Sequence, residues 1–212
     1  MKQFLNSILD LIFPPRCEVC RKSSQEALCQ DCFIKIKFMK PHLGIYSAST
    51  YDGPLKEAIQ RFKFKNRKRL AEPLGLLLVK YLSHSPGLNM KELDLIVPVP
   101  LHRNRLKERG FNQVELLVKK LAQYFEIPVV PALERTRHTK AQFDLARHER
   151  FPNIKGAFAV KPYISVLNKR VLLVDDIYTT GATIAECSLG LKQAGAKRVE
   201  ILTLSRAVEQ PA

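Results

Sequence analysis

Val171-Leu-Leu-Val-Asp-Asp-Ile-Tyr-Thr-Thr-Gly-Ala-Thr183 is the stretch on which the reading of the chain turns. Residues 170–174 read as a continuous strand, apolar from Val171 to Val174, the pattern of a strand buried on both faces. Two carboxylates follow, Asp175 and Asp176. Thr179, Thr180, Gly181, Ala182 and Thr183 then open a helical pattern over 180–194, with Ile184, Cys187, Leu191 and Ala194 on one side and Gly195 as its stop. Hydroxyls, a glycine free to take positive φ, and the first N–H groups of a helix together make a phosphate cradle. Carboxylates are repelled by a phosphate, so the two acids call for sugar hydroxyls or a bridging metal ion. A ribose 5-phosphate satisfies both halves. A plain capped helix after a strand explains one Thr and one Asp, and leaves the paired acids without a reason.

Outward from this stretch, strand and helix patterns alternate. Residues 45–51, 93–99 and 199–204 read as strands and 129–133 as a short extended run; 54–64, 70–82 and 113–125 have helical period. The expectation is an α/β fold with a doubly wound parallel sheet, whose ligands sit at the carboxyl ends of the strands. Residues 83–89, with Pro86 and Gly87, make a loop, and 135–160 is polar and irregular enough to be a functional or mobile segment. Near the start, Phe4, Leu5, Ile8, Leu9 and Ile12 form a helical stripe ended by Pro14-Pro15, a short amphipathic helix docking on the rest. Its polar face has few cations, which argues against a membrane-surface role. The chain divides into residues 1–44, the helix and a cysteine module, and residues 45–212, the sheet domain.

Cys17-Glu-Val-Cys20 and Cys29-Gln-Asp-Cys32 make two CxxC pairs eight residues apart. Each pair can offer two thiolates from one turn, and two pairs complete a tetrahedral four-sulfur site for Zn2+. The site is structural, because four thiolates leave no open position. The segment is too short to bury a core of its own, so the metal stands in for one. A thioredoxin-like redox pair is the rival, but two CxxC pairs without a surrounding βαβ pattern speak against it. Cys187, on the apolar side of its helix, reads as a small buried hydrophobe.

With 212 residues, 46% hydrophobic and 26% charged, the chain can bury a core, which excludes a wholly disordered protein. The longest apolar stretch, 74–79, is broken by Gly75 and far shorter than a membrane span. Asp10, Pro14, Pro15 and Arg16 spoil a secretory signal, so a cytoplasmic protein is expected. Net charge is +15, and residues 51–110 alone carry +7 of it. Residues 61–69 hold six cations with Phe62 and Phe64 between them. Lys63, Lys65, Arg67, Lys68 and Arg69 could neutralise phosphates while the rings offer faces for bases to stack on, a pattern that points to a polyanionic partner without saying whether it is a nucleic acid or a small phosphate ester. The competing reading is a solvated helix face over two core phenylalanines.

Residues 171–183 resemble the thirteen-residue binding motif for 5-phosphoribosyl 1-pyrophosphate (PRPP) of type I phosphoribosyltransferases. With the four-cysteine segment, Val97-Pro-Val-Pro-Leu-His-Arg-Asn-Arg105, Arg109-Gly-Phe-Asn-Gln113, Arg135-Thr-Arg-His-Thr-Lys-Ala-Gln142 and the segment from Arg150 to Asn153-Ile-Lys-Gly-Ala-Phe158, the whole chain is similar to the ComF family (ComFC and GntX proteins). That resemblance implies a zinc-ribbon-like module joined to a phosphoribosyltransferase domain. It implies that Asp175 and Asp176 hold ribose hydroxyls and stabilise charge at C1, and that residues 179–183 wrap the 5-phosphate. It places Pro98, Val99, Pro100, Leu101, His102 and Arg103 in a pyrophosphate loop, with Arg105, Lys107, Arg109 and Arg137 as further cations and Mg2+ arriving with PRPP. Hypoxanthine-guanine phosphoribosyltransferases carry an aspartate where this chain has Thr179, which argues against their route to a 6-oxopurine.

Three functions follow as expectations. The first is a PRPP-binding protein of natural competence that handles incoming single-stranded DNA together with competence-machinery proteins. The second is a working phosphoribosyltransferase for an unidentified base or amine. The third is a non-catalytic regulator that senses PRPP and binds nucleic acid. A homodimer is compatible with the transferase analogy, although no residue specifies one.

Overall fold

A parallel strand buried on both faces needs a neighbour on each edge and a helix layer on each side. The computed structural model of the chain, which describes residues 14–85, 87–137 and 149–208, supplies both. Four parallel strands run in the order β1 (Ile45–Thr50), β6 (Arg198–Arg206), β5 (Arg170–Tyr178) and β2 (Leu95–Pro98). A separate antiparallel pair joins β3 (Leu133–Arg135) to β4 (Phe158–Val160). The helices are α1 (Gln30–Phe33), α2 (Gly53–Phe64), α3 (Ala71–His84), α4 (Arg103–Arg109), α5 (Gln113–Phe125), α6 (Arg150–Ile154) and α7 (Ala182–Gln193). This is the α/β parallel-sheet fold that the alternating pattern implied.

The side-chain period of two sorts β5 between two cores. Leu172 and Val174 pack with buried residues of α2, α3 and α5, whereas Val171 and Leu173 pack with α7 and with Leu133 and Phe158 of the β3–β4 pair. On the first face α3 crosses α5 closely: a Cβ at Gly75 would lie 2.9 Å from the Lys120 Cβ. Cys17, Ala27, Leu28 and Cys32 belong to that same buried cluster. The cysteine module therefore does not rely on a metal alone, since its few apolar side chains are added to the core of the sheet domain.

The observed elements depart from expectation in several places, among them a helix at Arg103–Arg109 that no periodicity announced. β5 does not stop before the acids but continues to Tyr178, because β6 goes on pairing with it from Asp175–Thr203 to Tyr178–Arg206. The extended run at 129–133 makes only one parallel bridge, Val129 to Ile96, before β3 begins at Leu133. The stretch 135–160, read as irregular, contains the end of β3, α6 and β4, held by buried Ile154, Ala157 and Phe158. Residues 1–13 and 138–148 lie outside the described residues, and with them the amphipathic helix and part of the Arg135–Gln142 motif. Among the described residues, no helix is long and apolar enough to cross a membrane.

Candidate functional site

At the carboxyl end of β5 the same alternation separates the two acids. Asp176 follows Leu172 and Val174 onto the α2–α5 side, where it is 5% exposed. Lys63 Nζ of α2 donates to its Oδ1 at 2.7 Å and Gln113 Nε2 of α5 donates to its Oδ2 at 2.6 Å. Both oxygens of Asp176 are thus held by protein groups. Asp175 takes the α7 side, and its Oδ1 accepts from the Asp176 N–H at 2.8 Å. Burial, reinforced by the negative charge of Asp176, pushes the Asp175 carboxyl up to about 7, against the opposing pull of Lys63.

Both acids line a cavity of about 630 Å3, a volume in the range of small-molecule sites. One wall is the loop between β5 and α7. Gly181 has φ +80° and caps α7 without a side chain, which leaves the helix start ready for an anion. A Cβ at Gly181 would collide with the Tyr178 ring, so glycine is required there for conformation and for space. Thr179, Gly181, Ala182 and Thr183 line the cavity. Thr180 is used locally, its Oγ1 accepting from the Ala182 N–H at 3.4 Å.

The opposite wall is the loop after β2, fixed beside β5 by the Val99 N–H donating to the Val174 carbonyl at 2.9 Å. Of the six residues expected in a pyrophosphate loop, Val99, Pro100 and Leu101 line the cavity. Pro98 is buried in β2, and His102 caps α4, its Nδ1 accepting from the Asn104 N–H at 3.2 Å. Arg103 is exposed and is not among the lining residues. Besides Lys63 of α2, the lining cations come from further along: Arg105 and Arg109 of α4, Arg135 at the end of β3 and Arg150 at the start of α6. Burial lowers the pKa of Arg109 and Arg135. Lys107 is exposed, and Arg137 donates to the carbonyls of Asn153 and Lys155 at 3.1 and 2.8 Å instead of facing the cavity.

The basic run 61–69 splits in two. Lys63 points inward to Asp176, with its side chain 15% exposed. Lys65, Arg67, Lys68 and Arg69 are exposed, and three of them also make contacts that tie the run down. Arg67 Nε lies 3.6 Å from Glu18 of the cysteine module, the Arg69 guanidinium donates to the Gln25 carbonyl at 3.0 Å, and Lys68 Nζ sits 5.0 Å from the Phe111 ring centre. Gln113, Arg135 and Arg150 were not singled out as site residues by their sequence context. Arg135 and Arg150 did stand inside quoted motifs. Gln113 likewise closes the Arg109–Gln113 motif, but nothing in that motif says that it meets Asp176 from 63 positions away.

The four cysteine Sγ atoms lie within 4.8 Å of one another, with Cys17–Cys32 at 3.9 Å and Cys20–Cys29 at 3.5 Å. Zn–S bonds of about 2.3 Å put tetrahedral sulfurs about 3.8 Å apart, so the cluster has the right size for a single ion. The Val19 and Cys29 N–H groups both point at Cys17 Sγ at 3.4 Å. Burial works to raise the Cys17 thiol, but N–H groups including those of Cys29 and Val19 overcome it and bring the thiol down to about 6. Burial and the neighbouring thiols push Cys32 up instead. Four thiolates this close would repel one another unless a cation sat among them, so the cluster fits a metal ion. With five cysteines in the chain, the fifth being the buried Cys187, there is sulfur for one such site.

Residues 8–44 match the model of a double zinc ribbon domain, and residues 115–211 that of a phosphoribosyl transferase domain. Competence protein F of Haemophilus influenzae is 32% identical over 213 residues, spanning 90% of this chain and 90% of its own. Competence protein ComFC of Streptococcus pneumoniae is 35% identical, over 95% of this chain and 85% of its own. The DNA utilization protein YhgH of Escherichia coli K12 is 31% identical, over 90% of this chain and 89% of its own.

Proposed function

Because the chain belongs to the ComF family, in which a zinc ribbon is joined to a phosphoribosyltransferase domain, we propose that its cavity binds PRPP or a related ribose 5-phosphate and that the protein handles single-stranded DNA during uptake in the cytoplasm. The observation that carries this reading is the meeting in one cavity of the 179–183 loop, Asp175, and arginines from α4, β3 and α6. The 5-phosphate rests on the start of α7, where N–H groups and hydroxyls converge. Asp175 accepts from the ribose hydroxyls. Arg105, Arg109, Arg135 and Arg150 supply the positive charge that a pyrophosphate needs. Mg2+ carried in by the ligand would further neutralise that pyrophosphate as a leaving group. Asp175, whose carboxyl is pushed up to about 7, gains most from a cation or hydroxyls arriving with the ligand.

Calorimetric titration with PRPP and Mg2+ is the test. Wild type should bind, and D175N should bind at least about tenfold more weakly, the loss of one charge-assisted contact. Absence of binding by wild type would remove the reading. Pyrophosphate release that depends on an added base or amine, and is lost in D175N, would make the protein a working transferase. One contact favours the sensing alternative as well. Lys63 belongs to the basic run and also holds Asp176, so occupancy of the cavity can be felt where DNA would bind. In that case PRPP and DNA must alter each other's affinity by the same factor.

A further inference from the structure

We propose that the outer face of α4, with Arg103 and Lys107, is a docking surface for the phosphate backbone of single-stranded DNA, separate from the cavity that takes the sugar phosphate. This rests on the reading that the protein handles such a strand, and it gives the task to residues that the cavity leaves over. In Arg103-Asn-Arg-Leu-Lys-Glu-Arg109 the four cations recur at every second position. A helix turns about 100° per residue, so every second side chain falls on a nearly opposite face, while positions four apart share one. Arg105 and Arg109 accordingly line the cavity. Arg103 and Lys107 are exposed, and neither is among its lining residues. PRPP therefore accounts for one pair and not for the other.

A solvated helix face normally mixes its charges, with acids one turn away from bases. In α4 the pairs one turn apart, Arg103–Lys107 and Arg105–Arg109, are like-charged. Its one acid, Glu108, is felt by Arg109 of the inner pair. Arg103 also stands at the first residue of the helix, where the backbone dipole disfavours a cation. These placements work against a short helix on its own, and a polyanion along the outer face offsets them. The positive surface continues past the helix. Gly110 turns the chain at φ +75°, and the Phe111 ring that follows packs on Phe62 at 5.5 Å and carries Lys68 Nζ at 5.0 Å from its centre. Residues 61–69 and 103–109 together hold ten cations and one acid. Side chains one turn apart have Cβ atoms about 5–6 Å from each other, and a strand repeats its phosphates about every 3.4 Å along its axis, so one strand can meet Arg103 and Lys107 together. An anionic membrane fits less well, because an interfacial helix needs an apolar face and α4 has one apolar residue, Leu106.

Fluorescence anisotropy with a labelled single-stranded oligonucleotide over a series of salt concentrations, on the full chain loaded with Zn2+, is the test. R103Q/K107Q should bind about fivefold more weakly at about 0.1 M salt, since each exposed charge contact contributes a factor of about two to five. The slope of log affinity against log salt should become shallower by about 1.4, the change for two phosphate contacts on a single strand. R103K/K107R keeps both charges and should bind as wild type does. An oligonucleotide of abasic sites should show the same change of slope, because the surface meets backbone alone. Calorimetry should find the PRPP affinity of R103Q/K107Q unchanged. Both side chains are exposed, so an unchanged thermal transition of the double variant would show that the fold is intact. An unaltered slope, or a loss of PRPP affinity as large as the loss of strand affinity, would overturn the surface. So would binding to phosphatidylserine vesicles that R103Q/K107Q loses while its strand binding stays. If wild type binds no strand at any salt concentration, the DNA-handling reading falls and the surface with it. If wild type binds and the double variant keeps its slope, the surface alone falls.

Discussion

Asp175 and Asp176 are neighbours in the chain and live in opposite settings. Asp176 is enclosed, both of its oxygens taken by Lys63 and Gln113. Asp175 stands on the other side of the sheet, beside the 179–183 loop, with its carboxyl pushed up to about 7. An adjacent pair of acids in sequence suggests two equal ligands for a sugar. A strand cannot present them so, because successive side chains point to opposite faces. The pair is better understood as one acid that fastens α2 and α5 to the sheet and one acid held ready for a ligand.

Opposite effects of substitution follow, and the largest belongs to Asp176. D176A would leave the Lys63 ammonium, 15% exposed, without its partner, and K63M would leave the carboxylate with Gln113 alone. Breaking a buried pair from one side typically costs about 3–5 kcal/mol, whereas replacing both partners with apolar groups can be close to neutral. Urea unfolding should therefore show each single variant strongly destabilised and K63M/D176L recovering most of the loss. If the single variants lose nothing, the two acids are alike and the division of labour is wrong.

D175N should move the other way. The unfolded chain releases this proton near 3.8, and the folded chain near 7. Between those values the folded state holds more protons, so stability falls as pH rises through the window. The asparagine variant lacks that slope. Above pH 7 it should be more stable than wild type by an amount on the order of 4 kcal/mol, while below pH 4 the two should converge. Thermal unfolding across pH 4–8 would read this directly, and parallel curves for the two proteins would place Asp175 in a setting no different from an exposed carboxylate.

Much of this arrangement was legible in the sequence because it is local. The buried run 171–174, the cysteine spacing and the glycine of the 179–183 loop are each decided by neighbours within a few residues. The parallel order of the sheet followed from strands alternating with helices. The partners of Asp176 were not legible. Lys63 looked like one more member of a surface run, since charge density says nothing about which cation α2 turns inward. Gln113 stood at the end of the Arg109–Gln113 motif, at the start of a helix, with nothing to say which residue it would meet. Arg135 and Arg150 lie in a stretch that seemed irregular because strands of three residues have no periodicity to read, and pairing across 23 to 27 positions, from Arg135–Phe158 to Leu133–Val160, supplies what local pattern lacks.

The smallest expected effect tests the half of the site that belongs to Asp175. Gly181 holds φ +80°, where a residue with a Cβ costs roughly 1–2 kcal/mol, and its Cβ would press on the Tyr178 ring. Tyr178 is itself held at 5.2 Å by the Arg206 guanidinium at the end of β6. G181A should therefore displace the loop and not only strain it, and should weaken PRPP binding by more than its modest loss of stability implies. R103A supplies the matched control, because Arg103 is exposed and lies off the cavity wall, whereas R105A removes a cation that lines it. Calorimetry should rank G181A and R105A well below wild type, with R103A unchanged. Equal losses for R103A and R105A would mean that the loop after β2 meets the ligand along its whole length, as its six residues first suggested.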